Sequence, residues 1–312
     1  MNTSSDWTTA EHAARQALAA HADTAALAAS RLTPIDESLS NFAWHAVAGP
    51  QQQGFVRLAR AGTEALGADL HAEAEILHLV STAGIAPPVL RCDPSRRLLV
   101  TRWIEPAARA ARTDDPRLIA RVATLMAELH GLSVSHGLRR IRFDVQARRL
   151  EADLPATPTL RKLSDTAGQV FAQLAAASGA LVPCHHDIHA QNMVLDATDR
   201  LWLVDWEYAG LNDAVFDLAS YASQCGLSPD SLQVLCEAYA AAGGAVDEGR
   251  LGLALWAFDY VQWLWYRGLQ SGANEGHGVK EASRRSERIE RSLLARASGV
   301  LRCNNRAFDH ND

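Results

Sequence analysis

Residues 185 to 192 read HHDIHAQN, three histidines, an aspartate and an asparagine directly after the apolar LVPC. Two kinds of chemistry suit such a set. His185, His186 and His189 could ligate a transition metal, with His186 and Asp187 as the pair of a metal-dependent phosphohydrolase. That site needs further His or Asp ligands from other helices, and candidates such as His130 in ELHG carry no matching partner pattern. The other chemistry is phosphoryl transfer. It needs a carboxylate to orient the attacking hydroxyl and take its proton, and hard oxygen ligands for the magnesium ion on a nucleotide's phosphates. Asp187 supplies the carboxylate, while Asn192, five residues on, and Asp205 supply the oxygens.

A hairpin must bring those oxygens together. Asn192 enters NMVL and Asp205 leaves LWLVD, two apolar strands joined by the polar turn DATDR. The two residues, thirteen apart in the chain, are therefore predicted to be neighbours in space. H-x-D-x-x-x-x-N alone is a weak pattern. Followed by a hairpin that ends in Asp and an aromatic residue, LVDWE, it is much more specific, and the combination resembles the catalytic and metal-binding segments of the aminoglycoside phosphotransferase and choline kinase superfamily. The usual H-G-D-x-H-x-x-N of these relatives of protein kinases appears here with His186 in place of Gly.

The resemblance covers nearly the whole chain. AEAEILHLVSTAGIAPPVL resembles the family's N-lobe helix and following strand, LLVTRWIEPA its adenine-holding linker, and DWEYAGLNDAVFDLASY the segment after the metal Asp in choline and thiamine kinases. It implies an α+β, bilobal protein-kinase-like fold, with a β-rich N-lobe over 1–104 and a mostly helical C-lobe over 105–312, and it implies ATP as co-substrate with Mg2+. Asp187 would be the catalytic base, and Asn192 and Asp205 the metal ligands. On the nucleotide side it implies Arg57 in FVRL as the strand cation, paired with Glu73 or, in the other register, Glu75. Ser40 and Asn41 would lie in a short phosphate turn, and Thr101, Trp103 and Ile104 at the adenine linker. His185 and His189 would be structural loop residues, and Asp217 a structural acid that steadies the catalytic loop.

Trp256, Tyr260 and Trp263 are spaced four and three apart, so a helix aligns them in one stripe, with Asp259 close by. Aromatic faces beside a carboxylate suit a quaternary ammonium through cation–π attraction, or stack a flat cationic ring; the same stripe also suits a plain helix core. ALWAFDYVQWLWYRGLQ resembles the C-terminal helix of choline kinases, which favours choline or a related amino alcohol as acceptor. Trp206, where thiamine kinases carry Trp, keeps thiamine as the alternative. Trp206 and Glu207 join the stripe as expected substrate-binding residues, although Glu207 also suits a partner of the metal or a solvated strand-end acid. Aminoglycosides fit less well, because VKEASRRSERIERSLLAR is more basic than acidic. From a different class, a nucleotide-binding regulatory pseudokinase is favoured by the glycine-free phosphate turn and opposed by the complete Asp187, Asn192 and Asp205 set.

The rest of the chain bounds these expectations. Its 312 residues are 48% hydrophobic and 21% charged, ordinary for a soluble protein with a sizeable core. A net charge of −6 and a pI near 6.1 give no footprint for nucleic acid and tolerate a small cationic alcohol. Five scattered cysteines without a C-x-x-C pair read as reduced thiols. MNTSSDWTTAEHAARQ is no secretory signal, and LGLALWAFDYVQWLWY is too short and too interrupted to span a bilayer, so a cytoplasmic protein with no membrane partner is expected. The oligomeric state is open. Apolar spacing predicts helices over 9–30 and in DLHAEAEILHLVSTAG, then over 115–131, 161–178, 213–225, 229–242, 248–270 and 279–298. NFAWHAVAG and GFVRLAR read as a hairpin, RRLLVTRWIE as a further strand, and RCNNRAFDHND as a frayed tail.

Overall fold

The structure, a computed structural model, describes residues 3–35, 41–62, 69–107, 112–134, 137–176, 179–272 and 277–301. Ser40 and the RCNNRAFDHND tail from residue 302 onward lie outside them. In chain order the first elements are α1 (Thr3–Ala19), α2 (Ala25–Ala28), β1 (Arg31–Pro34), β2 (Asn41–Gly49), β3 (Gln52–Ala59), α3 (Leu70–Thr82), β4 (Val89–Asp93) and β5 (Leu98–Arg102). Next come α4 (Pro116–His130), α5 (Phe143–Ala152), α6 (Pro158–Ala176), β6 (Leu181–Cys184), β7 (Met193–Leu195), β8 (Leu201–Leu203) and β9 (Gly210–Asp213). The chain closes with α7 (Val215–Cys225), α8 (Pro229–Ala241), α9 (Glu248–Gly272) and α10 (His277–Val300). An antiparallel sheet near the N-terminus followed by mostly helical chain makes the fold α+β. Among the described residues no helix is long and apolar enough to cross a membrane.

The chain divides into two compact units. The first comprises 1–112, 135–139 and 190–210. Its sheet has the order β1-β2-β3-β5-β4 with antiparallel pairing throughout. Alternation sorts the strands' side chains between two faces. Trp44, Ala46, Val56, Leu58, Leu98 and Val100 form one face and pack against Ala10, Ala14, Ala17 and Leu18 of α1. Trp7 meets Phe42 and Trp44 edge-on at 5.1 and 5.6 Å, so each large side chain here contributes roughly 1.5–3 kcal/mol by leaving water. The opposite face carries Asn41 and Ala43 on β2, paired with Ala59 and Arg57 on β3, and Thr101 on β5, paired with Phe55. That face is also buried, but it carries the polar side chains Asn41, Arg57 and Thr101 where the other carries only apolar ones.

The helix predicted over 9–30 is in fact two. Thr24 bonds from Oγ1 back to the Leu18 carbonyl at 2.9 Å, and this side-chain bond to the backbone competes with helix continuation. Helix α3 starts where Asp69 accepts from His71 and Ala72 amides, both at 3.1 Å, and stops before Gly84, which sits at φ +73°. The hairpin β7–β8 pairs Met193 with Leu203, and the Val204 amide donates to the Asn192 carbonyl at 3.0 Å.

The second unit comprises 113–134, 140–189 and 211–312. Helix α4 opens on Asp115, which accepts from the Arg117 amide at 2.9 Å, with Pro116 in the first turn. Helix α9 packs against α5, α6, α7 and α10, which is why it is apolar on nearly every side. Helix α5 and the paired strands β6 and β9 are not anticipated by the sequence pattern; strands of four residues are too short to show a period.

Candidate active site

In the first unit the site is built on the Arg57 face of the sheet. Arg57 is 4% exposed and divides its guanidinium between two acids: Nη1 donates to Asp205 Oδ1 at 2.8 Å, and Nη2 is hydrogen-bonded to Glu73 of α3. Burial works against the charge, but Glu73, Asp205 and Glu207 outweigh it and hold the Arg57 pKa above its ordinary value. Burial also pushes the Glu73 carboxyl up, against the pull of Arg57. Of the two registers open for the helix acid, the structure pairs Glu73 with Arg57, while Glu75 is exposed.

Asn41, at the start of β2, donates from Nδ2 to Glu207 Oε2 at 3.0 Å, and both are buried. Arg139 ties the same segment down, donating to the Glu207 carbonyl at 2.7 Å and the Ala209 carbonyl at 3.1 Å. Glu207 is thus a buried, hydrogen-bonded acid rather than a solvated one. Asn192 is 5% exposed, and Asp205 stands one residue past the backbone bond that joins Asn192 to Val204. The Asp205 backbone is left-handed, φ +65°, a conformation Asp tolerates better than most residues. An amide oxygen and a carboxylate are hard donors that fit magnesium rather than a soft transition metal. Thr101 is buried on the same sheet face, and Trp103 stacks on His45 at 3.9 Å and 16° with Ile104 half-buried beside it in sequence.

In the second unit the loop after β6 presents Asp187. Its geometry is fixed from α7: Asp217, fully buried, accepts from the His185 amide at 2.8 Å and the His186 amide at 2.7 Å, and Ser220 Oγ accepts from the Ile188 amide at 3.0 Å. His130 of α4 bridges Asp217, at 3.2 Å, and the Tyr239 hydroxyl of α8, at 2.7 Å. Burial raises the Asp217 carboxyl, yet His130, the charge near His186 and the loop amides bring it down to about 2. Burial likewise raises Asp187, and His189, Gln224 and His185 more than reverse this, leaving its pKa below the ordinary value. Asp187 is therefore a carboxylate at neutral pH, with its side chain 26% exposed.

His186 takes the left-handed backbone at φ +67°, which explains why glycine is usual at this position in the resembling pattern. Its ring is held by Asn212, 3.1 Å from Nε2, and by the edge-on ring of Phe143 at 5.3 Å. His130, Cys184 and Asp217 lie close enough together to suggest a metal site, but burial pushes the Cys184 thiol well above its ordinary range, and His130 and Asp217 are committed to the loop.

The aromatic stripe, which suits either a substrate box or a plain helix core, is buried in this structure. Trp256, Tyr260 and Trp263 are at most 2% exposed, with Trp256 stacked on Tyr260 at 5.4 Å. Their polar ends are spoken for by the Leu293 carbonyl, Glu151 and Glu290 at 3.3, 2.8 and 3.1 Å. The reason is the position of α9, which neighbouring helices cover on several sides. Asp259 is bound by Ser223 and Arg296 rather than facing an open box. Trp206 is also buried, its indole N–H satisfied by the Leu203 carbonyl at 3.1 Å. Sequence reasoning missed Ser220 and Gln224, although with Asp217 they sit at helical positions i, i+3 and i+7, a polar stripe on a largely apolar helix.

Protein LicA from Haemophilus influenzae is 46% identical over 59 residues, 19% of this chain and 22% of that protein. The choline/ethanolamine kinase of Rattus norvegicus is 32% identical over 121 residues, 34% of this chain and 31% of that protein. The matches thus span less than a third of either relative's length. In fold the chain is similar to a choline/ethanolamine kinase family protein from Mesorhizobium loti, with a TM-score of 0.73 and 23% identity over 92% of this chain and 98% of the other. The sequence model of the phosphotransferase enzyme family matches residues 31–256, a span that holds Arg57, Glu73, Asp187, Asn192 and Asp205. With well over half of its length matched, the chain belongs to the phosphotransferase enzyme family.

Proposed function

We propose that the protein is a small-molecule kinase that transfers the γ-phosphoryl group of ATP to the hydroxyl of choline or a related amino alcohol. The observation that carries this reading is the buried Arg57 guanidinium, held between Glu73 and Asp205 on the sheet face opposite the core. Such a planar fork suits phosphate oxygens, and its two acids keep it charged and aimed. Asn41 at the start of β2 and Ser40 before it would approach the phosphates, and Thr101, Trp103 and Ile104 would border the adenine. Asn192 and Asp205 would hold Mg2+, which neutralises charge on the phosphates when bound. The similarity to LicA and to choline/ethanolamine kinases supports the amino alcohol.

In the proposed reaction the acceptor hydroxyl oxygen forms a bond to the γ-phosphorus as the bond from that phosphorus to the ADP oxygen breaks. The hydroxyl proton passes to the Asp187 carboxylate. Its lowered pKa suits a group that orients the hydroxyl while ionised and takes the proton late, as a loose transition state requires.

The test is ADP release from Mg·ATP by the purified protein over choline, ethanolamine, thiamine and an aminoglycoside, with Asp187→Ala alongside. Stimulation by an amino alcohol that the variant loses by roughly 10²- to 10⁴-fold is the expected result. Stimulation by thiamine alone would replace the acceptor, and bound ATP without stimulation by any alcohol would favour a regulatory nucleotide-binding role.

A further inference from the structure

One contact to Asp187 comes from outside its own loop. Gln224 of α7 donates from Nε2 to Asp187 Oδ1 at 2.9 Å and to Ser220 Oγ at 3.2 Å. Ser220 Oγ in turn accepts from the Ile188 amide at 3.0 Å. One face of α7 therefore grips both the backbone and the side chain of the loop. The chemistry fixes which way the amide points, because its oxygen cannot face a carboxylate oxygen at hydrogen-bond distance, so the NH2 group does. The remaining Asp187 oxygen, Oδ2, has His189 Nε2 at 3.4 Å, a longer and weaker contact.

We infer that Gln224 is a positioning residue for phosphoryl transfer: it ties down Asp187 Oδ1 so that Oδ2 is the oxygen presented to the acceptor hydroxyl. This rests on the proposed role of Asp187 as base. Without the bond to Gln224 the carboxylate is freer to turn about its Cβ–Cγ bond, a broad two-fold torsion, and spends more time misaligned. Gln fits the task because it donates without carrying charge. Among the described contacts, His185 and His189 of its own loop are the titratable groups that face Asp187, and Gln224 faces it from α7. A Glu in place of Gln224 would set a second carboxylate against the base. The donor would then return only when the pair shares one proton.

Gln224→Met, Gln224→Glu and Asp187→Asn are compared with the parent protein in steady-state turnover of the best amino alcohol between pH 5 and 9, with thermal unfolding of each variant. Gln224→Met keeps the side-chain length and loses the donor; it is expected to lower kcat about tenfold with KM for ATP within about twofold of the parent, the scale of a misaligned catalytic group. For Gln224→Glu the ratio of its kcat to that of the parent is expected to be lowest at the alkaline end and to rise as pH falls, which a purely structural role would not produce. Parental kcat in Gln224→Met, or a Gln224→Glu ratio that stays flat with pH, overturns the inference. Parental turnover in Asp187→Asn would remove the base and this inference with it. An inactive Asp187→Asn beside a fully active Gln224→Met would remove only the role of Gln224.

Discussion

Arg57 donates to Asp205 Oδ1 at 2.8 Å although the two are 148 residues apart in the chain, and the same guanidinium holds Glu73. The sheet face, the helix α3 and the end of the β7–β8 hairpin are thus locked around one cation. Removing it leaves buried Glu73 without its counter-charge. Arg57→Met is expected to destabilise the protein by about 3–5 kcal/mol in denaturant unfolding, and adding Glu73→Gln is expected to recover part of the loss. Arg57→Lys keeps the charge, but a single ammonium cannot reproduce a fork that spans two acids, so turnover falls while stability changes less. Equal stability of Arg57→Met and the parent would show that the pair is not held as described.

Asp217 makes stability depend on pH. Its carboxyl is lowered from 3.8 to about 2 in the folded chain, so its contribution is present above pH 3.8 and is lost as pH falls towards about 2. A shift of that size in a fully buried group is on the order of 2 kcal/mol. Asp217→Asn is expected to be less stable at neutral pH and to show a shallower loss between pH 4 and 2, read from urea midpoints across that range. A parallel pH dependence in the two proteins would assign the acid sensitivity elsewhere.

The residues of the candidate site differ in how far local sequence pattern reveals them. Arg57, Glu73 and Asp205 were legible because a strand and a helix show their period and a polar turn between two apolar runs marks a hairpin, and the resemblance then gave each a place. The closeness of Asn192 and Asp205 followed from hairpin geometry alone, and their backbones are joined through the Val204 amide. The loop supports were harder to see. Gln224 reaches Asp187 from 37 positions away, and His130 and Tyr239, 109 positions apart, support the same loop through Asp217; no local pattern records such pairings. The stripe of Trp256, Tyr260 and Trp263 was visible, but periodicity reports that residues share a face and is silent on what covers it.

His186 sits at φ +67°, where a side chain costs roughly 1–2 kcal/mol relative to glycine. The bond with Asn212 and the packing of Phe143 offset that cost. His186→Ala keeps the backbone strain and loses both contacts, so it is expected to be the more destabilised, whereas His186→Gly relieves the strain. The order of unfolding midpoints is therefore parent above Gly above Ala. An Ala variant as stable as the Gly variant would mean that the left-handed backbone is not under strain.

Trp256 separates a packed helix core from a substrate box. Its indole is fully buried, stacks on Tyr260 and donates to the Leu293 carbonyl of α10 at 3.3 Å. If the Leu293 contact and the packing around the indole chiefly join α9 to α10, truncation opens a cavity in the helix core. Trp256→Ala is then expected to lose about 3–5 kcal/mol of stability, with the KM for the amino alcohol little changed at a temperature where the variant is folded. A box residue gives the opposite pattern, because a cation–π contact acts on the bound acceptor and not on the empty protein. A Trp256→Ala protein of parental stability with a KM raised tenfold or more would place the acceptor against this stripe and require α10 to move away from α9 when it binds.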